Sequence, residues 1–342
     1  MKPSSPIRLV CRAGCMKQRG FTLVELMVSI TLGMLIVAAL LALYLNITRT
    51  NNEMAKANLQ IENGRFAIQL LQSDLVHAGF WGEARPPVPT AVPANPCLAP
   101  SAWDAAYKAN MLAFPVLGYD SASVPSTCGT VTGAQDNSDV VVVRHANTCA
   151  SGSAGCDGGA DTGPHIQVSS CNMTPPEPAY VIHSSTFPLH KKDCTTVENV
   201  RRKVVSSIYF VSDNTLMRSS LVNGTYQAAQ PLIEGIEAMR IEYGIDNVGK
   251  NGAAVSATNP GDGSPDTYVS CAPCTLDELR NVVAVKIHVL ARNLQATLGH
   301  TESKIYQLGN TDAIGPFDDG VKRHVFSTTV RLVNPSSRRE AP

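Results

Sequence analysis

Glu25 is an acidic residue at the start of a long apolar run, and its position indicates charge-pairing chemistry. From Leu26 to Leu45 the chain has 20 consecutive residues without a charge. A carboxylate costs roughly 2.5 to 3.5 kcal/mol at the middle of a bilayer, so this acid needs a partner. Cleavage between Gly20 and Phe21 would create an α-amino group four residues from Glu25, on the same chain or on a neighbouring subunit.

The apolar run has the length and the flanks of a membrane-spanning helix. Twenty residues make a helix of about 30 Å, the thickness of a bilayer's hydrocarbon core. Residues 1–20 carry five basic and no acidic side chains. This flank should stay on the cytoplasmic side, which predicts a single pass with the C-terminal body on the other side of the membrane. A cleaved secretory signal is disfavoured, because the run is too long and lacks a polar cleavage region.

The cysteines form the second group of chemically active residues. Two of the ten, Cys11 and Cys15, leave with the leader if the chain is cut after Gly20. The other eight are an even number in an exported body, which predicts disulfides, although the count alone allows 105 connectivities. Pairing neighbours in order has the lowest loop-closure cost. This pairing joins Cys97 to Cys128, Cys149 to Cys156, Cys171 to Cys194 and Cys271 to Cys274.

Two other sites are possible from the residue types. Cys271 and Cys274 form a C-x-P-C motif before a capping-box pattern, which lowers a thiol pKa in disulfide oxidoreductases. Those enzymes place the motif after the first strand of a βαβ unit, whereas here it comes late, between predicted antiparallel strands. The candidate zinc ligands are His145, Cys149, Cys156 and His165. Their spacing matches no common zinc finger. We therefore expect no enzyme activity, no metal and no cofactor.

Residues 17–26, KQRGFTLVEL, resemble the class III signal of type IV pilins and type II secretion pseudopilins. The resemblance implies that a prepilin peptidase/N-methyltransferase cuts after Gly20 and methylates Phe21, and that Glu25 serves assembly. Residues 233–246 are similar to the central signature of PilW-type minor pilins. The segments 282–292 and 323–330 are similar to that family's C-terminal strands.

A long helix must position the processing site and the apolar run. Apolar residues spaced by sevens predict one covered face beyond the membrane, at Ile47, Met54, Ile61, Ile68 and Leu75. Glycines and prolines then end the helix near His77 to Gly79. The predicted organisation is a leader at 1–20, a transmembrane and assembly helix at 21–45, the periplasmic half of the helix at 46–79 and a β-rich globular domain at 80–342.

The body predicts antiparallel sheet, because turn residues separate short β-rich runs. The predicted strands are 139–144, 179–183, 204–211, 215–218, 236–245, 282–290 and 321–333. The fold class is α+β, a type IV pilin-like fold with the long N-terminal α-helix packed on an antiparallel β-sheet with long disulfide-bonded loops. After residue 245, acids are too sparse for a compact calcium loop, so a plain turn-rich loop is expected.

The chain has 28 basic and 28 acidic residues, which gives no basic surface for nucleic acid. The resemblance implies a minor pilin that helps to initiate type IV pilus assembly in or near the tip. It is expected first in the inner membrane and then in the cell-surface pilus. Expected partners are other minor pilins, the major pilin, the inner-membrane assembly platform and a tip adhesin. The alternatives are a J-type minor pseudopilin of type II secretion and an adhesive tip module.

Overall fold

The computed structural model describes residues 20–156, 162–174, 176–256, 258–270 and 274–340. Cys11, Cys15 and Cys271 lie outside the described residues. The chain divides into two compact units, Met1–Met54 and Ala55–Pro342. The helices of the described residues are α1 (Leu23–Leu75), α2 (Ala105–Ala113), α3 (Leu276–Arg280) and α4 (Val333–Glu340).

The strands of the described residues form two antiparallel sheets. They are β1 (Val116–Asp120), β2 (Asp139–Ala146), β3 (His165–Val168), β4 (Tyr180–His183), β5 (Arg201–Ser212), β6 (Thr215–Val222), β7 (Thr225–Tyr226), β8 (Gln230–Glu234), β9 (Ile236–Ile245), β10 (Thr267–Val269), β11 (Val282–Arg292) and β12 (Arg323–Arg331). The larger sheet has the order β1-β2-β5-β3-β4, with β6 beside β5 and both β7 and β8 beside β6. The smaller sheet has the order β10-β9-β11-β12.

The first unit contains the N-terminal part of α1. Residues 20–52 are all exposed to solvent. Among the described residues, α1 is the one helix long and apolar enough to cross a membrane. Leu, Ala and Met, which lose little side-chain freedom in a helix, recur along this part and favour helix despite its lack of internal packing.

The second unit buries part of the predicted stripe of α1, together with neighbouring positions of the helix. Ala67, Leu71 and Leu75 are buried in a core shared by both sheets. Ile61 is exposed, although the spacing by sevens places it on the covered face. Gly64 lets the helix approach β12 closely, because a Cβ at this position would overlap the ring of Phe326. Helix α1 then ends at Leu75, slightly before the predicted end.

Strands of the larger sheet are buried on both faces and separate two cores. On β2, Val141 and Val143 belong to the core shared with α1, whereas Val140 and Val142 belong to a second core around Trp81. Because side chains alternate along a strand, a continuous apolar run fits a strand covered on both sides. The body therefore has two sheets, where the sequence pattern predicts one.

Disulfides hold the long loops of the larger sheet. The bridges join Cys97 to Cys128, Cys149 to Cys156 and Cys171 to Cys194, with Cα–Cα distances of 5.1, 6.1 and 5.1 Å. These are the sequence neighbours that the loop-closure argument pairs. Cys274 is also disulfide-bonded, and its predicted partner lies outside the described residues.

Candidate functional site

The junction between Gly20 and Phe21 lies in an exposed segment before the helix. Phe21 is 76% exposed, and a Cβ built on Gly20 meets no atom within 4 Å. Helix α1 begins two residues after Phe21, at Leu23. A peptidase can therefore reach this peptide bond without unwinding regular structure.

Glu25 lies in the first turn of α1, where Thr22 holds its carboxylate. The Thr22 hydroxyl lies 3.3 Å from Oε2 of Glu25, and the Glu25 amide donates to the Thr22 hydroxyl at 3.3 Å. This reciprocal arrangement resembles a capping box, and an acid in the first turn also suits the positive end of the helix dipole. Thr22 was not among the predicted site residues, although the T-x-x-E pattern at 22–25 is the usual signal of such a cap.

Polar side chains within the apolar run satisfy their hydrogen bonds locally. The hydroxyl of Ser29 donates to the carbonyl of Glu25 at 2.7 Å, and that of Thr31 donates to the carbonyl of Val28 at 2.9 Å. Such bonds remove the need for water around these groups. The exposed large apolar residues of this segment include Leu26, Met34 and Leu40. The segment is therefore a continuous apolar surface with a single capped carboxylate at its start.

Comparisons with protein families match both ends of the chain. Residues 15–41 match the prokaryotic N-terminal methylation motif, and residues 199–334 match the type IV pilus-assembly protein W family. Over these residues the chain is similar to type IV pilus-related pilins of the PilW family. The first match contains the exposed Gly20–Phe21 junction and Glu25, and the second contains β6, β9, β11 and β12.

A solved structure is similar to this pilin at a low level. It is the type IV-like pilin TTHA1219 from Thermus thermophilus, with 11% sequence identity and a TM-score of 0.35 over 80% of this chain and 97% of that chain. A search of curated proteins found no match.

In the second unit of this pilin, a polar cluster joins the end of α1 to the larger sheet. Nε2 of His145 on β2 lies 3.1 Å from Oδ1 of Asp74, and the hydroxyl of Tyr209 on β5 donates to Oδ2 of Asp74 at 2.9 Å. Nδ1 of His145 lies 2.9 Å from the carbonyl oxygen of Ala146. Both ring nitrogens thus face acceptors, which favours the doubly protonated imidazolium.

The loop after β9 is held by a buried carboxylate. Asp246 is fully buried, and Nε of Arg339 on α4 lies 2.8 Å from its Oδ2. The amide of Gly263 donates to the same oxygen at 2.8 Å. A plain turn-rich loop was predicted here, and the sequence carries no signal for this contact, because Arg339 lies 93 residues away.

The structure describes all the candidate zinc ligands but only part of the C-x-P-C motif. Cys149 and Cys156 are bonded to each other, so the zinc alternative loses both thiolate ligands. The C-x-P-C alternative includes Cys271, which lies outside the described residues. The capping box that follows it is present, with the Glu278 amide donating to the Thr275 hydroxyl at 3.2 Å.

Proposed function

We propose that this pilin is a minor subunit that helps to initiate type IV pilus assembly and is incorporated in or near the filament tip. The observation that carries the proposal is the exposed apolar surface of α1, with Glu25 capped at its first turn directly after the Gly20–Phe21 junction. An apolar helix of this length is stable in a bilayer or among similar helices, and water is the least favourable surrounding for it.

The membrane state comes first. The basic leader holds the N-terminus on the cytoplasmic side, and the body folds in the periplasm, where disulfides form and persist. The prepilin peptidase/N-methyltransferase then cuts after Gly20 and methylates Phe21. Processing removes the charged leader, which would otherwise oppose withdrawal of the helix from the membrane.

Assembly moves the apolar helix into a filament of similar helices. Among the described residues of the single subunit, Thr22 is the one residue whose side chain contacts the Glu25 carboxylate. In the filament it meets the positively charged amine of a neighbouring Phe21, and burial of the two charges is tolerable as a pair. Glu25 thus sets the axial position of each entering subunit, and its partners are the other minor pilins, the major pilin and the inner-membrane assembly platform.

The size of the body supports a place at the end of the filament. In the part of the chain that the structure describes, the second unit carries two sheets and three complete disulfide bridges in its loops. A bulky body is easier to accommodate once, at a tip, than at each step of a closely spaced helical array. Its loops would then be available to a tip adhesin.

Processing and function can be tested in one set of strains. Gly20→Ala should leave mostly uncut precursor, and mass spectrometry of the wild type should find methylated Phe21 at the N-terminus. Gly33→Ala is a matched control, because a Cβ at Gly33 also meets no atom within 4 Å. Deletion of the gene should abolish pili and leave type II secretion intact. The opposite result would support the J-type pseudopilin and overturn the proposal.

A further inference from the structure

The second unit contains a cleft of about 450 Å³ that none of the processing and assembly features uses. Four segments that are distant in sequence line it. They are residues 85–89 after α1, residues 113–116 between α2 and β1, residues 279–282 between α3 and β11, and residues 332–339 from β12 into α4. Its volume lies in the range of small-molecule and peptide pockets.

The inner wall of the cleft is apolar. Phe114, Val116 and Leu332 line it and are themselves almost fully buried. Five prolines complete the lining: Pro86, Pro87, Pro89, Pro115 and Pro335. A proline has no backbone N–H, so the wall offers few main-chain donors to an anion.

The donors come instead from four arginines: Arg85, Arg280, Arg338 and Arg339. Two of these have acidic partners. NH1 of Arg280 lies 3.1 Å from Oδ1 of Asp277, and Arg339 is paired with Asp246. Within the described ranges, Arg85 and Arg338 have no ion-pair partner. The cleft therefore holds two uncompensated guanidinium groups beside an apolar wall.

Backbone carbonyls fix two of these guanidinium groups. NH1 of Arg338 donates to the carbonyl of Gly79 at 3.1 Å, and NH2 of Arg280 donates to the carbonyl of Pro89 at 2.8 Å. Although Arg338 as a residue is exposed, packing around its guanidinium lowers its pKa. Each guanidinium keeps further N–H donors in a planar fork, which matches a carboxylate. Groups held in this way lose little freedom when an anion binds.

We propose that this cleft binds a peptide segment of a partner subunit in which an acidic side chain lies next to an apolar one. The carboxylate would bind to Arg338 and Arg85, and the apolar side chain would pack on the partly exposed prolines of the lining, Pro86, Pro87 and Pro335. This inference rests on the proposed function only for the source of the peptide. It goes beyond the family match, because Arg85 and Arg338 lie outside residues 199–334.

The lining favours a carboxylate over a phosphate group. Phosphate sites commonly use the free N–H groups at a helix N-terminus, often with glycine. Here Arg280, Arg338 and Arg339 follow the first turns of α3 and α4, Arg85 lies in a loop, and prolines replace donors along the wall. A fully hydrated phosphate would not bury the apolar surface next to the guanidinium groups.

The test measures peptide binding by isothermal titration calorimetry to the full-length pilin in phosphatidylcholine nanodiscs. The probe is acetyl-Leu-Glu-Phe-amide, and acetyl-Leu-Gln-Phe-amide is the matched peptide without the charge. Acetyl-Gly-Glu-Gly-amide keeps the charge and removes the apolar groups. We expect the first peptide to bind roughly tenfold more tightly than either of the others, since one charge-assisted pair contributes about that factor.

Protein variants locate the binding site. Arg85→Gln and Arg338→Gln should each weaken binding of the Glu peptide by roughly tenfold. Arg65→Gln, which removes an exposed arginine of α1 outside the cleft, should leave it unchanged. If Arg338→Gln does not fold, Arg85→Gln tests the site alone. It should fold, because Arg85 is exposed and has no ion-pair partner among the described residues.

Three results would overturn the proposal. The Glu and Gln peptides bind equally tightly, or no peptide gives a heat of binding at millimolar concentration. In the third, inorganic phosphate competes for the cleft as strongly as the Glu peptide binds to it. None of these depends on pili. A pilin that binds the peptide but does not support piliation would therefore contradict the proposed function and leave the cleft assignment standing.

Discussion

His145 on β2 forms an ion pair with Asp74 in the last turn of α1, with 3.1 Å between Nε2 and Oδ1. This pair fastens the end of the N-terminal helix to the larger sheet within the second unit. Burial of the imidazole opposes its protonation, but the hydrogen bonds to Asp74 and to the Ala146 carbonyl outweigh burial and raise the pKa of His145 above 6.5. The contact is therefore pH-dependent.

The first prediction concerns the stability of the body against pH. Because the folded-state pKa is raised, the stabilisation by His145 is fully present below about pH 6.5 and is lost as the pH rises through the folded-state value. We expect His145→Gln to lose roughly 1 kcal/mol at pH 5.5 and clearly less at pH 8.5. Urea unfolding followed by tryptophan fluorescence can measure this loss, since both tryptophans, Trp81 and Trp103, lie in the body.

A control separates this pair from other titrating groups. His183 on β4 is exposed, and its ring makes only local contacts with Ser185 and Thr186. The variant His183→Gln should keep the wild-type difference in stability between pH 5.5 and pH 8.5. An identical pH dependence in wild type and His145→Gln would contradict the role of the Asp74–His145 pair.

The second prediction concerns the close approach of α1 to β12. A Cβ at Gly64 would overlap the ring of Phe326, so Gly64→Ala should destabilise the body by roughly 1 to 3 kcal/mol. Gly129→Ala is the matched control, because a Cβ there meets no atom within 4 Å. The smaller side chain of Phe326→Leu should partly rescue Gly64→Ala in a double-mutant cycle. If the stability loss of the double variant equals the sum of the losses in the two single variants, the result would argue against this contact.

The third prediction concerns Arg144, which is fully buried on β2. Its NH2 donates to the Tyr107 hydroxyl at 3.3 Å, but Nε and NH1 have no hydrogen-bond partner in the part of the chain that the structure describes. No carboxylate among the described residues forms an ion pair with it. Since replacing a buried charge with an apolar side chain of similar volume is often neutral or stabilising, we expect Arg144→Met to unfold at the wild-type urea concentration or higher.

Arg144→Ala serves as the comparison, because it removes the charge and leaves a cavity. It should be less stable than Arg144→Met by roughly 2 to 4 kcal/mol. A large loss in Arg144→Met itself would mean that the guanidinium stabilises the core through contacts with the surrounding tyrosines.

The sequence predicts those elements whose own residues carry a strong pattern. The apolar run and the stripe beyond it predict α1, and β2 and β11 follow from runs rich in Val, Ile and Leu. The strand β1 was missed because its five residues, Val116–Asp120, have no alternation and depend on pairing with β2. The division into two sheets also escaped prediction, since it depends on which strands pair across long loops.

The candidate site was predictable where it is local. Gly20, Phe21 and Glu25 follow from one short motif, and Thr22 could have been added from the capping pattern. Contacts such as Asp74 with His145, or Arg338 with Gly79, join residues 71 and 259 positions apart. A single sequence has no periodicity that indicates such pairs. The polar cluster and the arginine cleft could therefore be found only from the fold.

The central claim is that the charge of Glu25 serves assembly, and the Thr22 contact provides a way to separate charge from helix capping. Glutamine in the third helical position can also complete a capping box. Glu25→Gln therefore keeps the cap and removes the charge, whereas Thr22→Val removes the cap and keeps the charge. Neither variant changes the periplasmic body, so both should be cleaved, inserted and as protease-resistant as wild type.

The decisive measurement is the number of pili in strains whose only copy of this pilin carries Glu25→Gln or Thr22→Val. The pairing of Glu25 with a neighbouring Phe21 amine predicts that Glu25→Gln loses pili and no longer co-purifies with other minor subunits. It predicts near-normal piliation for Thr22→Val. Wild-type pilus counts in the Glu25→Gln strain would contradict the account.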